Sequence, residues 1–177
     1  TTKHVFVIVR QTIKYSAMKT FKFLFLGLTL LISSNVSSQV PPTLVKDSLQ
    51  SLYPTVYTIG WSTDATYFVA GFQYNGFPTK VWFDNQGHWL MKQTDWQVMD
   101  EVPEAVYHTF TMGPYSTDEV LDVTLVEFPN KPAQVVVHIG EYNSETTYQL
   151  FYLTNGELIN ARDVTNMSNI LGASTFF

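Results

Sequence analysis

The sequence predicts an α+β protein: a tandem repeat of two units, each a helix followed by a four-stranded antiparallel sheet, with the helices packed on one face of the sheet. Three observations predict it. The hydrophobic period changes from helical to alternating after Pro54, it changes again in the same sense after Gly113 and Pro114, and each half ends in a similar hairpin. With 45% apolar and 14% charged residues, the 177-residue chain has material for a core and too few charges to stay unfolded.

The elements follow in order. Residues 1–17 do not begin with Met and precede a complete export signal, so they read as a non-native upstream extension. Met18 to Lys22 is basic, Phe23 to Ile32 is apolar apart from Gly27 and Thr29, and Val36, Ser37 and Ser38 suit cleavage before Gln39. Residues 18–38 are therefore predicted to be a signal peptide. The apolar run is shorter than the roughly 18 residues needed to span a bilayer, so no stable membrane anchor is expected after cleavage.

Unit one spans 39–98. Thr43 to Tyr53 sets Val45, Leu49, Leu52 and Tyr53 on one helical face, and Pro54 stops the helix. Strands are expected at Val56 to Trp61, Thr66 to Tyr74, Thr79 to Phe83 and His88 to Lys92, rich in aromatic and β-branched residues. Asn75-Gly76 and Asp84 to Gly87 supply the hairpin turns. Unit two spans 99–165. Pro103 opens a helix carrying Val102, Val106 and Phe110, with Asp100, Glu101 and Glu104 near its positive end. Strands are expected at Val120 to Phe128, Gln134 to Ile139, Thr147 to Leu153 and Glu157 to Arg162, and 166–177 read as a C-terminal tail.

The two halves align locally. Lys80 to Leu90 lies over Gln149 to Ile159, bringing Gly87 onto Gly156 at an offset of 69, whereas Pro42 and Pro103 are offset by 61. Loops at Pro129 to Ala133 and Glu141 to Thr146 can absorb the difference. In its first helix, Tyr53-Pro54, Trp61, the Asp84-Asn85-Gln86-Gly87 turn and Val102-Pro103, the chain resembles the PepSY-like, beta-lactamase-inhibitor-protein-like (BLIP-like) group of exported bacterial proteins. The resemblance covers about Pro41 to Asp163. It implies tandem units forming one sheet with helices on one side, a periplasmic or secreted location, and non-catalytic binding or inhibition.

Charge narrows the partners. From Gln39 onward five basic residues stand against 15 acidic ones, a net of −10, so phosphate backbones are repelled and no nucleic-acid partner is expected. There is no Cys, which excludes disulfides and a lipid-modified cysteine. His88, His108 and His138 form no His-x-x-x-His or Glu-x-x-His pair, and Asp118, Glu119 and Asp122 lack the ligand spacing of a calcium loop. Gly172 to Phe176 begins like a nucleophile elbow without its closing Gly. No phosphate-cradling loop occurs either. No catalytic residue, metal or cofactor is therefore expected, and the protein is read as a non-enzyme.

Alternation along the strands points to a candidate face. It sets Val81, Phe83, Trp89 and Met91 on the helix side with Phe68, Ala70, Phe72 and Tyr74, and Lys80, Trp82, His88, Leu90 and Lys92 on the other. Tyr67, Val69 and Gln73 join Trp82. The candidate binding residues on this open face are Tyr67, Gln73, Lys80, Trp82, His88 and Lys92, a mixture of aromatics and charges of the kind protein-binding patches carry. The same aromatics could instead simply cover the sheet or meet a loop or the tail. The expected function is to bind or inhibit a protein or peptide, an envelope enzyme or protease being one such partner. The alternatives are a small-ligand carrier with a pocket between sheet and helices and an uncharacterised hydrolase.

Overall fold

In a computed structural model the described residues are 40–167 and 171–177. The predicted upstream extension and signal peptide lie outside them. Helix α1 (Thr43–Leu52) precedes strands β1 (Gly60–Asp64), β2 (Tyr67–Tyr74), β3 (Phe77–Phe83) and β4 (Trp89–Asp95). After a 3-10 turn at Met99–Glu101 come helix α2 (Glu104–Thr111) and strands β5 (Glu119–Glu127), β6 (Gln134–Gly140), β7 (Thr147–Leu153) and β8 (Leu158–Asp163). A last helical turn, α3, spans Ala173–Phe176. The eight strands form one antiparallel sheet in the order β1 to β8, each bonded to its neighbour in sequence.

Two apolar clusters share one side of this sheet. Val45 and Leu49 of α1 bury against Phe68, Ala70, Phe72, Val81 and Phe83. Val106 and Phe110 of α2 bury against Val123, Val135, Val137, Ile139, Leu150 and Tyr152. The register joins the two clusters, because Val81 pairs with Lys92 and Lys92 with Glu127, two residues from Leu125, which packs on the α2 cluster. A third cluster lies on the opposite side: Val69, Trp82, Met91, Val126, Phe128, Val136 and Phe151, capped by Ala173.

Two features recur in both halves. Phe83 pairs with Trp89 but Trp82 with Met91, leaving Leu90 as an extra residue; likewise Tyr152 pairs with Leu158 but Phe151 with Asn160, leaving Ile159 extra. Each such bulge adjoins a turn whose glycine cannot be replaced freely. Gly87 has φ +87, and a Cβ there would stand 2.8 Å from the Leu44 carbonyl oxygen; Gly156 has φ +91, and its Cβ would stand 2.5 Å from that of Ala105. Each hairpin turn thus presses onto the first turn of the helix that precedes it.

Several expectations need correction. The first strand begins at Gly60, not Val56, although Val56 is buried in the α1 cluster. The strand reads as polar because it forms a sheet edge, where few side chains are covered. Leu52 is exposed rather than on the buried helical face. The bulge at Leu90 reverses the parity of the residues after it: Met91 lies away from the helices and Lys92 lies on their side. Lys92 there forms an ion pair with Glu127, and both side chains are only partly exposed.

Candidate functional site

Away from the helices, the sheet surface divides into an apolar part and a polar part. The apolar part is covered by the segment Leu171 to Phe177. Ala173 is 3% exposed, and its backbone N–H donates to Asp64 Oδ2 at 2.6 Å. The same oxygen accepts from Trp82 Nε1 at 3.0 Å. Phe176 packs its ring 5.5 Å from that of Phe128, and Phe177 sits 5.6 Å from Tyr67. Lys131 spans the segment's outer edge, donating to the Phe176 carbonyl at 3.2 Å and standing 5.3 Å from the Phe128 ring and 5.4 Å from that of Phe177.

The polar part is a hollow of about 950 Å³. Strand register builds its floor: Lys80 pairs with Gln93, Asp95 with Thr124, Asp122 with His138, and His138 with Gln149. Gln73, Tyr57 and Leu171 also line it. Gln93 Nε2 donates to the Leu171 carbonyl at 3.0 Å, so the covering segment forms one wall. Thr124 Oγ1 donates to Asp122 Oδ2 at 3.2 Å, orienting that carboxylate. Burial, and then the neighbouring Asp122, push the Asp95 carboxyl above its ordinary range, and burial pushes His138 below its own. Asp95 Oδ1 and His138 Nε2 are buried without a hydrogen-bond partner. The surface therefore offers a basic group, two carboxylates, amides and a neutral imidazole within one concavity, which suits recognition of a polar partner surface.

The sequence-predicted residues are distributed unevenly over this geometry. Gln73 and Lys80 line the hollow. Tyr67 and Trp82 lie on the same side but under the covering segment, Trp82 at 3% exposure. His88 is exposed at the turn after β3, its Nδ1 2.9 Å from Asp84 Oδ2 and its backbone N–H donating to Asp84 Oδ1 at 2.9 Å. Lys92 is on the helix side with Glu127. Gln93, Asp95, Asp122, Thr124, His138 and Gln149 were not singled out as a group by sequence. The usable signal was polar residues alternating with Val123 and Leu125 along β5.

On the helix side a smaller hollow of about 230 Å³ is lined by Leu52, Tyr53, Trp89, Lys92 and Glu127. Burial, then the charge of Glu127, push the Tyr53 hydroxyl up to about 12, so it stays neutral there. Among the described residues no group of three or more His, Asp or Glu side chains could hold a metal ion, and no helix is long and apolar enough to cross a membrane.

A scan against family models and a search of curated proteins gave no match. Solved structures do match. A DUF2874 family protein from Bacteroides uniformis is 48% identical with a TM-score of 0.75, the match covering 77% of this chain and 99% of that one. The chain belongs to the DUF2874 family. A candidate periplasmic protein from Bacteroides eggerthii is 42% identical to this DUF2874 chain, with a TM-score of 0.75 over 78% of this chain and 99% of the other. A BLIP-like protein from Bacteroides fragilis is 32% identical with a TM-score of 0.70, covering 75% and 92%. The fold of this DUF2874 protein is accordingly BLIP-like: α+β, with an eight-stranded antiparallel open sheet and few helices.

Proposed function

We propose that this DUF2874 protein is an exported, periplasmic, non-catalytic module that binds, and by binding restrains, a protein or peptide partner on the sheet side away from its helices. The observation that carries the reading is the concave polar hollow bounded by Gln73, Lys80, Asp95, Asp122 and His138. A concavity that combines a basic group, carboxylates and amides with the exposed Tyr57 ring has the mixed composition found at polypeptide interfaces. Export is supported by the basic-then-apolar leader at 18–38 and by the candidate periplasmic relative.

Residues 39–98 and 99–165 are read as two PepSY-like copies of one unit. Support comes from the recurrent bulges at Leu90 and Ile159 and from the glycine contacts: Gly87 to Leu44 and Gly156 to Ala105 repeat at the offsets of 69 and 61 that align the sequences. A small-ligand carrier with its site between sheet and helices is less favoured, because the hollow on that side falls short of the roughly 300 Å³ at which ligand pockets begin.

The test is retention of an envelope polypeptide by immobilised chain 39–177, compared with Lys80→Glu. Lys80 is exposed, so its replacement leaves the core intact. The reading expects a polypeptide held by the wild type and released by the charge reversal. Equal retention by both proteins, or none by either, would refute it.

A further inference from the structure

We infer that the polar hollow receives a guanidinium group, the side chain of an arginine on the partner polypeptide, held between Asp95, Asp122 and His138. The inference rests on the reading that this side of the sheet holds a polypeptide, and it assigns the chemistry of the group that enters.

Other half-buried carboxylates of the sheet are met by donors. Asp64 Oδ2 accepts from Trp82 Nε1 and from the Ala173 backbone N–H, and Glu127 pairs with Lys92. Asp95 and Asp122 meet each other instead. Asp95 pairs with Thr124, two residues along β5 from Asp122, so both carboxylates line the hollow, and among the described residues neither forms an ion pair. Burial and the Asp122 carboxylate outweigh the donors that Gln97 brings to Asp95, and its carboxyl is held above the ordinary range. Asp95 Oδ1 has no hydrogen-bond partner, and neither has His138 Nε2, which stands opposite Asp122 in register. Two carboxylates that repel each other in a concavity cost the free protein stability, and a cation from outside relieves both at once.

The acceptors select the class of cation. Asp95, Asp122 and His138 come from three consecutive strands spaced about 4.8 Å apart, so they are spread across the floor rather than gathered on one point. An ammonium directs its three donors from a single atom. A guanidinium carries five in a planar fork, is always charged, and can bridge acceptors on neighbouring strands. His138, which burial keeps neutral, accepts at Nε2 when its proton sits on Nδ1 and does not repel the fork. Tyr57, exposed and lining the hollow, adds an aromatic ring, the other kind of surface on which guanidinium groups settle. A metal ion fits worse, because among the described residues no three His, Asp or Glu side chains gather closely enough to hold one.

The experiment records amide proton–nitrogen correlation spectra of chain 39–177 titrated with Nα-acetyl-arginine amide, and separately with the lysine derivative and with the uncharged isostere made from citrulline. The arginine derivative should give saturable shifts at the amides of Asp95, Asp122 and His138 in the millimolar range, the lysine derivative should bind more weakly, and the citrulline derivative should give none. Asp95→Asn and Asp122→Asn should each weaken arginine binding about tenfold, the loss of one charge-assisted hydrogen bond. Asp95→Asn removes a repulsion, so weaker binding there does not come from a weaker fold. Lys80→Glu, which leaves the three acceptors in place, should not weaken it. The inference is overturned by the absence of saturable shifts with the arginine derivative, by equal affinity for the lysine or citrulline derivative, or by unchanged affinity in both Asp variants. Saturation of the same amides by calcium chloride, with arginine excluded, would assign the site to a metal ion and equally overturn it. If arginine fails here while Lys80→Glu still releases a retained polypeptide, the reading of this face stands and only the assigned group falls.

Discussion

Individual side chains set limits that stability measurements can reach. At Gly87 and Gly156 an added Cβ meets a helix carbonyl oxygen while φ stays positive, so both contact and backbone oppose it. Gly87→Ala and Gly156→Ala should each lower unfolding free energy by about 1–3 kcal/mol in urea titration, with similar values at the two sites. Asp95 makes a prediction of opposite sign. Its folded pKa is raised by burial and by Asp122, so the folded protein holds a proton that the unfolded chain has already released. Stability falls as pH rises from the ordinary carboxylate range through that raised value, and the penalty persists above it. Asp95→Asn should therefore melt higher than wild type at neutral pH, with the advantage shrinking in acid; a constant difference across the range would show that ionisation is not the cause.

At the scale of elements, α1 is anchored by two residues. Val45 and Leu49 are fully buried, and Leu49→Ala should cost about 2–5 kcal/mol, whereas Leu52→Ala, on an exposed position, should stay within about 0.5 kcal/mol in the same titration. Both helices and most strands were legible because period and punctuation agree: Pro42, Pro54 and Pro103 bracket 3.6-residue patterns, and glycine turns bracket alternating ones. What could not be read has a common physical origin. Nothing in His88 to Lys92 announces that Leu90 is an extra residue, and a single insertion moves Lys92 from one face to the other. The segment after Asn166 has no period at all, so its packing over Trp82 depends on tertiary fit alone. The hollow was half visible, through Gln73 and Lys80, because Gln93 and Asp95 of β4 reach it only through the Leu90 bulge, and Asp122, Thr124, His138 and Gln149 come from second-half strands that register alone brings beside them.

For the molecule as a whole, the excess of 15 acidic over five basic residues from Gln39 onward favours a basic partner surface. Association rates with such a partner should fall steeply between about 0.05 and 0.5 M salt, and stopped-flow rates that stay flat over that interval would remove long-range attraction from the account. The sheet order has a consequence for how the molecule is made. Because each strand bonds to the one just before it, closure never spans more than a hairpin or a single intervening helix. A nascent chain can zip its strands together in the order they emerge, and low contact order favours rapid folding. Only the final turn, reaching back across the finished sheet to Asp64, must wait until everything else is in place.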